Sequence, residues 1–269
     1  PQTQTIVTNT TWGNVSVANK ITIEEGATLT ITGLIGCADA EKLIIKEGGQ
    51  LIHNNAGVKA TLEKEIEGYG STNESWYTIS SPLMGNVALS DVESLIPTTN
   101  NYDLYRYDEP TSVWQNVKQS SNSFANLENG RGYLYANEYD ATLSFAGELN
   151  GDDVTYHLSK TENIVLSGFH LIGNPFTHNI YKGVGAAIDD NNLAAGYYTL
   201  SDAGAWGAKI SDDIPIAPGQ GILVKTSKEG DVKIKKTNTQ PSQKSNAGIL
   251  AITVNIKEYE DKAFVVFED

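Results

Sequence analysis

Along most of this chain apolar and polar positions alternate with a period of two, in short runs closed by glycine, proline or small polar residues, which predicts strands joined by tight turns. Trp76-Tyr-Thr-Ile-Ser-Ser-Pro-Leu83 is the clearest such run, and a degenerate copy, Phe169-His-Leu-Ile-Gly-Asn-Pro-Phe176, begins 93 positions later (76 to 169). The likeness continues downstream: Trp114 recurs as Trp206, Gly130-Arg-Gly-Tyr-Leu-Tyr135 as Gly219-Gln-Gly-Ile-Leu-Val224, and Leu143 with Phe145 as Val232 with Ile234. The offset drifts from 93 to 92 (114 to 206) to 89 (130 to 219), placing insertions between the matched segments. Loops tolerate such changes and strands do not, so the matched segments read as strands. The pattern predicts a duplicated antiparallel β-sandwich, with units at about 76–145 and 169–234.

A shorter repeat precedes it. Ile21-Thr-Ile-Glu-Glu-Gly-Ala-Thr-Leu-Thr-Ile31 and Leu43-Ile-Ile-Lys-Glu-Gly-Gly-Gln-Leu-Ile52 lie 22 positions apart (21 to 43), and Val15 and Val17 begin a similar strand upstream. A unit this small cannot bury its own apolar face, so successive rungs must stack as a parallel β-solenoid that packs on the next domain or continues another solenoid. Val58 to Ile66 alternates as a linking strand, and Gly68 to Asn73 marks a boundary. Tyr102–Tyr107, Gly196–Leu200, Val154–Leu158 and Ile164–Leu166 read as further strands, the last two lying between the units. Helical signals are limited to Ser90–Ile96, with Ser90 as cap and Pro97 as stop, and to 185–193. Residues 237–248 form a polar linker, after which Leu250–Ile256 and Ala263–Phe267 predict a β-hairpin. The organisation is therefore all-β: a solenoid-like segment at 1–68, the duplicated sandwich at 69–240, and a linker and hairpin at 241–269 that either joins the preceding sheet or opens a further domain.

Composition narrows the functional classes. The 269 residues carry 33 Asp and Glu against 19 Lys and Arg, a net charge of −14. Such a chain repels polyphosphate, and its only dense basic run, Lys233-Ile-Lys-Lys236, reads as a strand face, so nucleic acid is not an expected partner. No apolar run reaches membrane-spanning length, which argues against membrane insertion. A single cysteine, Cys37, allows no intramolecular disulfide. The N-terminal residues show no signal-peptide pattern, so any such peptide lay upstream or has been removed.

Candidate chemistry is sparse. His53, His157 and His170 sit in or beside strands, His178 reads as exposed, and none has a partner at metal-ligand or triad spacing. Asp108-Glu109, Asp152-Asp153, Asp189-Asp190 and Asp212-Asp213 read as solvated loop charge, with one structural calcium ion as the main rival and no other cofactor implied. The glycine pairs at 130–132 and 219–221 lack a following helix, so they read as turns rather than phosphate cradles. Aromatic residues are the more informative set. Tyr105 and Tyr107 share a strand face, as do Tyr133 and Tyr135, and Trp114 and Trp206 occupy equivalent positions. Exposed rings stack on the apolar faces of sugars and buried ones fill a core; Trp114, Trp206, Tyr105 and Tyr107 are the candidate ligand contacts.

The Ile21–Ile31 rung, the two proline-ended strands, Asn129-Gly-Arg-Gly-Tyr-Leu-Tyr-Ala136 and Ala217-Pro-Gly-Gln-Gly-Ile-Leu-Val-Lys225 together resemble regions of large secreted and surface proteins of the Bacteroidota, including type IX secretion substrates. The resemblance implies extracellular display beside neighbouring domains of a longer chain, with glycans or surface proteins as partners. It supplies no catalytic residues, and a complete C-terminal sorting domain is missing from the pattern. The expectation is a non-catalytic structural or adhesive region, with recognition in the loops 83–102 and 176–197. A carbohydrate-binding module using the exposed aromatics is the alternative, and a polysaccharide-degrading enzyme the third reading.

Overall fold

The computed structural model describes residues 3–70, 75–194, 196–201, 204–209, 214–240, 249–256 and 259–266, the last two spans by their backbone path alone. The boundary residues 71–74, the pair Asp212-Asp213 and most of the 237–248 linker lie outside the described residues.

The chain opens as a three-faced parallel solenoid. Its rungs are β1 (Gln4–Ile6), β2 (Thr10–Trp12) and β3 (Val15–Ser16); then β4 (Ile21–Ile23), β5 (Thr28–Ile31) and β6 (Ile35–Gly36); then β7 (Leu43–Ile45) and β8 (Gln50–Ile52). Strands β1, β4 and β7 stack on one face, β2, β5 and β8 on the second, and β3 and β6 on the third. Val15 therefore starts the third face of a first rung, and the rung itself begins at Gln4, upstream of the visible repeat. Register places Ile6, Ile23 and Ile45 one above another, each buried, so the rungs share one apolar column. The Glu-Gly turns close because Gly26 and Gly48 both adopt φ +75°, a left-handed conformation that side chains disfavour.

Strand β9 (Lys59–Ile66) joins this solenoid to the first sandwich. One edge pairs parallel with β7, through Ile44 with Thr61 and Ile45 with Leu62. The other pairs antiparallel with β17 (Ala141–Glu148) from Ala141 with Ile66 to Glu148 with Lys59. Between them the chain forms β10 (Tyr77–Ile79), β11 (Val87–Ala88), β12 (Val92–Glu93), β13 (Tyr102–Asp108), β14 (Val113–Asn116), β15 (Asn126–Leu127) and β16 (Tyr133–Asn137). A six-stranded sheet, β1-β4-β7-β9-β17-β12, faces a four-stranded sheet, β10-β16-β13-β14. Leu62, Ile66, Leu143 and Phe145 from the first meet Ile79, Leu104, Tyr133 and Tyr135 from the second, in a core that runs unbroken into the solenoid.

The second copy repeats this plan with β18 (Val154–Leu158), β19 (Phe169–Gly173), β20 (Tyr197–Leu200), β21 (Trp206–Lys209), β22 (Gly221–Lys225) and β23 (Gly230–Ile234). Its four-stranded sheet is ordered β19-β22-β20-β21, the same order as in the first copy, and β18 pairs with β23 as β9 pairs with β17. Matching extends to single residues: Tyr105 opposes Leu134 as Tyr198 opposes Leu223, and Tyr107 opposes Trp114 as Leu200 opposes Trp206. Val154–Leu158, read as a strand between the units, is thus the opening strand of the second copy. That copy has its own core, built from Val154, Leu158, Ile172, Ile222, Val224, Val232 and Ile234.

Several local expectations are corrected. Residues 90–96 do not form a helical turn capped by Ser90: Leu89–Asp91 is a short 3-10 turn without a side-chain cap, and Val92–Glu93 is strand. Val92 pairs with Phe145, so burial in the sandwich overrides the local spacing. At 185–193 only Asp190–Asn192 is a 3-10 turn. Ile164–Leu166 is a turn in which Leu166 has φ 57°. The loop after β19 is not free: Leu51 N–H donates to Thr177 O at 2.8 Å, Thr177 Oγ1 to Leu51 O at 2.9 Å, and Asn179 N–H to Gln50 Oε1 at 2.8 Å, so it covers the edge of β8. The C-terminal hairpin is present as β24 (Ile249–Ile256) and β25 (Tyr259–Val266), in register from Ile249 with Val266 to Ile256 with Tyr259.

Candidate functional site

The two copies meet about a local pseudo-two-fold axis at the segments the sequence repeats. Ser80 N–H of the first donates to Gly219 O of the second at 2.9 Å, and the equivalent Gly173 N–H donates to Gly130 O at 2.9 Å. Beside them Gly132 N–H donates to Leu171 O at 2.9 Å, and Thr78 Oγ1 to Gly221 O at 2.8 Å. Gly130 and Gly219, with φ 79° and 69°, are turn glycines as expected. Gly132 and Gly221 have a different reason. A Cβ on Gly132 would fall 2.8 Å from Leu171 Cγ, and one on Gly221 3.3 Å from Thr78 Cβ, so the second glycine of each motif is where the copies' backbones touch. Asn150 clamps the arrangement: its amide Nδ2 reaches Leu83 O at 3.0 Å and Pro175 O at 2.8 Å, tying both proline turns together.

Packing about that axis brings the copies' hairpins across one another. The turn between β13 and β14 meets the approach to β19, where Ser112 Oγ and Tyr107 Oη both donate to Val165 O. The turn between β20 and β21 meets the approach to β10, where a Cβ on Gly204 would lie 3.4 Å from Trp76 Cδ1. This second crossing leaves an open groove of about 290 Å³ lined by Trp76, Tyr105, Trp114, Leu134, Leu200, Gly204 and Trp206. Trp76 and Tyr105 hold each other at 6.0 Å between ring centres, tilted by 52°. Among the described residues every lining side chain is half-buried, and none is charged. Such a surface offers ring faces for stacking with little polar competition.

Of the residues singled out from sequence, Trp114, Trp206 and Tyr105 converge in this groove. Tyr107 does not line it; it is 3% exposed, packed against Trp114 at 5.1 Å with its hydroxyl engaged by the β13–β14 turn. Tyr133 and Tyr135 are wholly buried in the first core. Trp76, Leu134 and Leu200 were missed, because only the strand register, which carries the Trp76 face of β10 through Leu134 to Tyr105, and the contact between the copies bring them together.

The polar candidates resolve differently. Glu109 is not solvated loop charge but 1% exposed, accepting from Thr161 N–H, Gly168 N–H and Ser159 Oγ, each at 2.8 Å, and from Thr161 Oγ1 at 2.9 Å. Burial pushes its carboxyl up, but these four donors outweigh that and hold it at about 2. It latches the β13–β14 turn to the approach to β19. Asp153 takes Lys236 N–H at 2.8 Å and Lys233 Nζ at 2.9 Å, interactions that lower its pKa. His178 is buried, not exposed, and lies flat on Phe176 at 5.6 Å, while His157 is the exposed histidine. Burial lowers His53 to about 3 and His178 to about 4, with Lys236 nearby adding to both shifts. No cluster of three or more His, Cys, Asp or Glu occurs among the described residues at metal-holding distance. A larger groove of about 490 Å³ carries Glu65, Glu67 and Asp140, but Asp140 Oδ1 already accepts from Gly68 N–H at 2.8 Å.

Comparisons with known protein families, with curated proteins and with solved structures found no match.

Proposed function

We propose that this chain is a non-catalytic recognition region of a secreted or surface protein, and that the groove between its sandwich copies takes the apolar face of a neutral sugar ring. The convergence of Trp76, Tyr105, Trp114 and Trp206 from both copies onto one open groove, with no charged side chain among its described lining residues, carries this reading. Aromatic faces complement the C–H face of a pyranose, and a volume near the low end of the roughly 300–1,000 Å³ typical of ligand sites suits a ring or short segment. A net charge of −14 disfavours uronate-rich or sulfated glycans, which leaves neutral ones. The extracellular setting is supported by the resemblance to Bacteroidota surface-protein regions, and the rigid sheets behind the groove fit a presenting role.

The reading is tested on an array of neutral and acidic glycans, followed by tryptophan-fluorescence titration of the neutral ligands bound. Trp114→Ala and Trp206→Ala each weaken binding about tenfold or more, while Trp12→Ala on the solenoid leaves it unchanged. Binding indifferent to both groove substitutions removes the proposal, and reproducible release of sugar from a polysaccharide replaces it with the enzymatic reading.

A further inference from the structure

We propose that the aromatic groove is one half of a longer track, which continues over the second copy to Tyr198 and Phe169, and that its ligand is an internal stretch of a linear neutral glycan rather than a single sugar. The inference rests on the sugar-binding reading of the groove and extends it.

Pseudo-symmetry identifies the second half. The two-fold relation that exchanges Ser80 with Gly173 and Gly130 with Gly219 also exchanges Trp76 with Phe169, Tyr105 with Tyr198 and Trp114 with Trp206. The exchanged ring pairs keep one geometry: Trp76 and Tyr105 lie 6.0 Å apart at 52°, Phe169 and Tyr198 6.1 Å apart at 49°. The groove holds both tryptophans, and these two exchange. The Phe169–Tyr198 pair therefore adjoins the same tryptophans from the other side.

Strand register agrees. Leu200 lines the groove opposite Trp206, and Tyr198 stands two residues back along β20 on the same face, about 7 Å further on. Packing does not require that ring: the second core takes the neighbouring Tyr197 from the opposite face, while Tyr198 is 37% exposed and Phe169 half-buried. Lys225 marks the end of the track, with its Nζ 5.4 Å from the Phe169 ring centre, at the position equivalent to Ala136 of the first copy.

The symmetry also selects the mode of recognition. A two-fold axis reverses direction along the track, whereas a glycan chain runs from a non-reducing to a reducing end. Equivalent side chains cannot then form equivalent hydrogen bonds to successive sugars. Ring faces stack in either direction, so the track reads the apolar faces of internal units and not a chain end.

Calorimetric titration of the full 269-residue chain with linear gluco-, manno- and xylo-oligosaccharides, each as disaccharide and hexasaccharide, tests this. The expected result is a hexasaccharide bound about tenfold or more tightly than its disaccharide, a ratio that falls to about one in Tyr198→Ala and in Phe169→Leu. Trp114→Ala weakens both lengths, and Trp12→Ala alters neither. Opening the reducing end of the hexasaccharide to the alditol leaves its affinity in place. Equal affinity for the two lengths, a length preference that survives both ring substitutions, or loss of binding on opening the reducing end overturns the track; the groove reading then stands if Trp114→Ala still weakens binding. Failure of every oligosaccharide to bind, or binding indifferent to Trp114→Ala as well, overturns both.

Discussion

Small residues at the pseudo-axis determine how closely the copies can approach. A Cβ on Gly173 would lie 2.0 Å from Ser80 Oγ and 2.3 Å from Ser80 Cβ, a contact that only movement can relieve. Gly173→Ala is expected to cost on the order of 1–3 kcal/mol in urea unfolding, with much of the loss recovered in Gly173→Ala/Ser80→Gly because the obstructing atoms are then gone. Glu109 is the second decisive residue. Glu109→Gln keeps the shape of the latch but loses the charge its four donors complement, at an expected cost of about 2–4 kcal/mol. Its carboxyl is held at about 2, so its contribution is present above the ordinary carboxylate range and disappears as pH falls from about 4.5 to about 2; the Gln variant should lack that acid limb in a stability–pH series. Neither residue was legible in sequence. Asp108-Glu109 has the form of loop charge, and its donors lie some fifty positions downstream, at Ser159, Thr161 and Gly168. A glycine held small by a distant chain carries no local mark.

Rungs and strands were more readable, because a period of two and a Glu-Gly turn are local properties. Ile21–Ile31 and Leu43–Ile52 declared themselves for that reason. The first rung did not: between Gln4 and Ser16 it has three apolar side chains pointing inward or half-inward, Ile6, Trp12 and Val15, and no Glu-Gly turn. The junction of β8 with the loop after β19 was equally hidden, and it has a pH dependence of its own. There His53 and His178 lie buried near Lys236, with Asp152 acting on Lys236 from the facing turn and Asp153 already paired with Lys233. Both imidazoles have folded pKa values below their ordinary 6.5, so the folded junction binds fewer protons than the open one and weakens as pH falls from about 6.5 toward 3. The protection factor of Leu51 N–H, bonded to Thr177 O, should fall through that window once the intrinsic pH dependence of exchange is divided out, and His53→Gln/His178→Gln should flatten the response.

At the scale of the whole molecule the duplication was the strongest signal and the structure extends it, since β9 and β18 open the two copies well before the proline-ended strands. What could not be read was how the copies meet, and with it the groove: Trp114 and Trp206 lie 92 positions apart (114 to 206) yet line one surface only through the contact around Ser80 and Gly173. The division of cores carries a further expectation. Solenoid and first copy share one apolar cluster while the second copy has its own, so amides of β4, β7 and β17 should gain exchange protection and lose it together on titration with denaturant, and those of β22 and β23 as a separate group.

Strand β9 belongs to solenoid and sandwich at once. A pull on the N-terminal side would reach the sandwich through the sheet that β9 shares with β7 and β17. The load would fall along the β9–β17 ladder, whose eight residue pairs must slip together rather than unzip singly. Such a seam would yield as one unit.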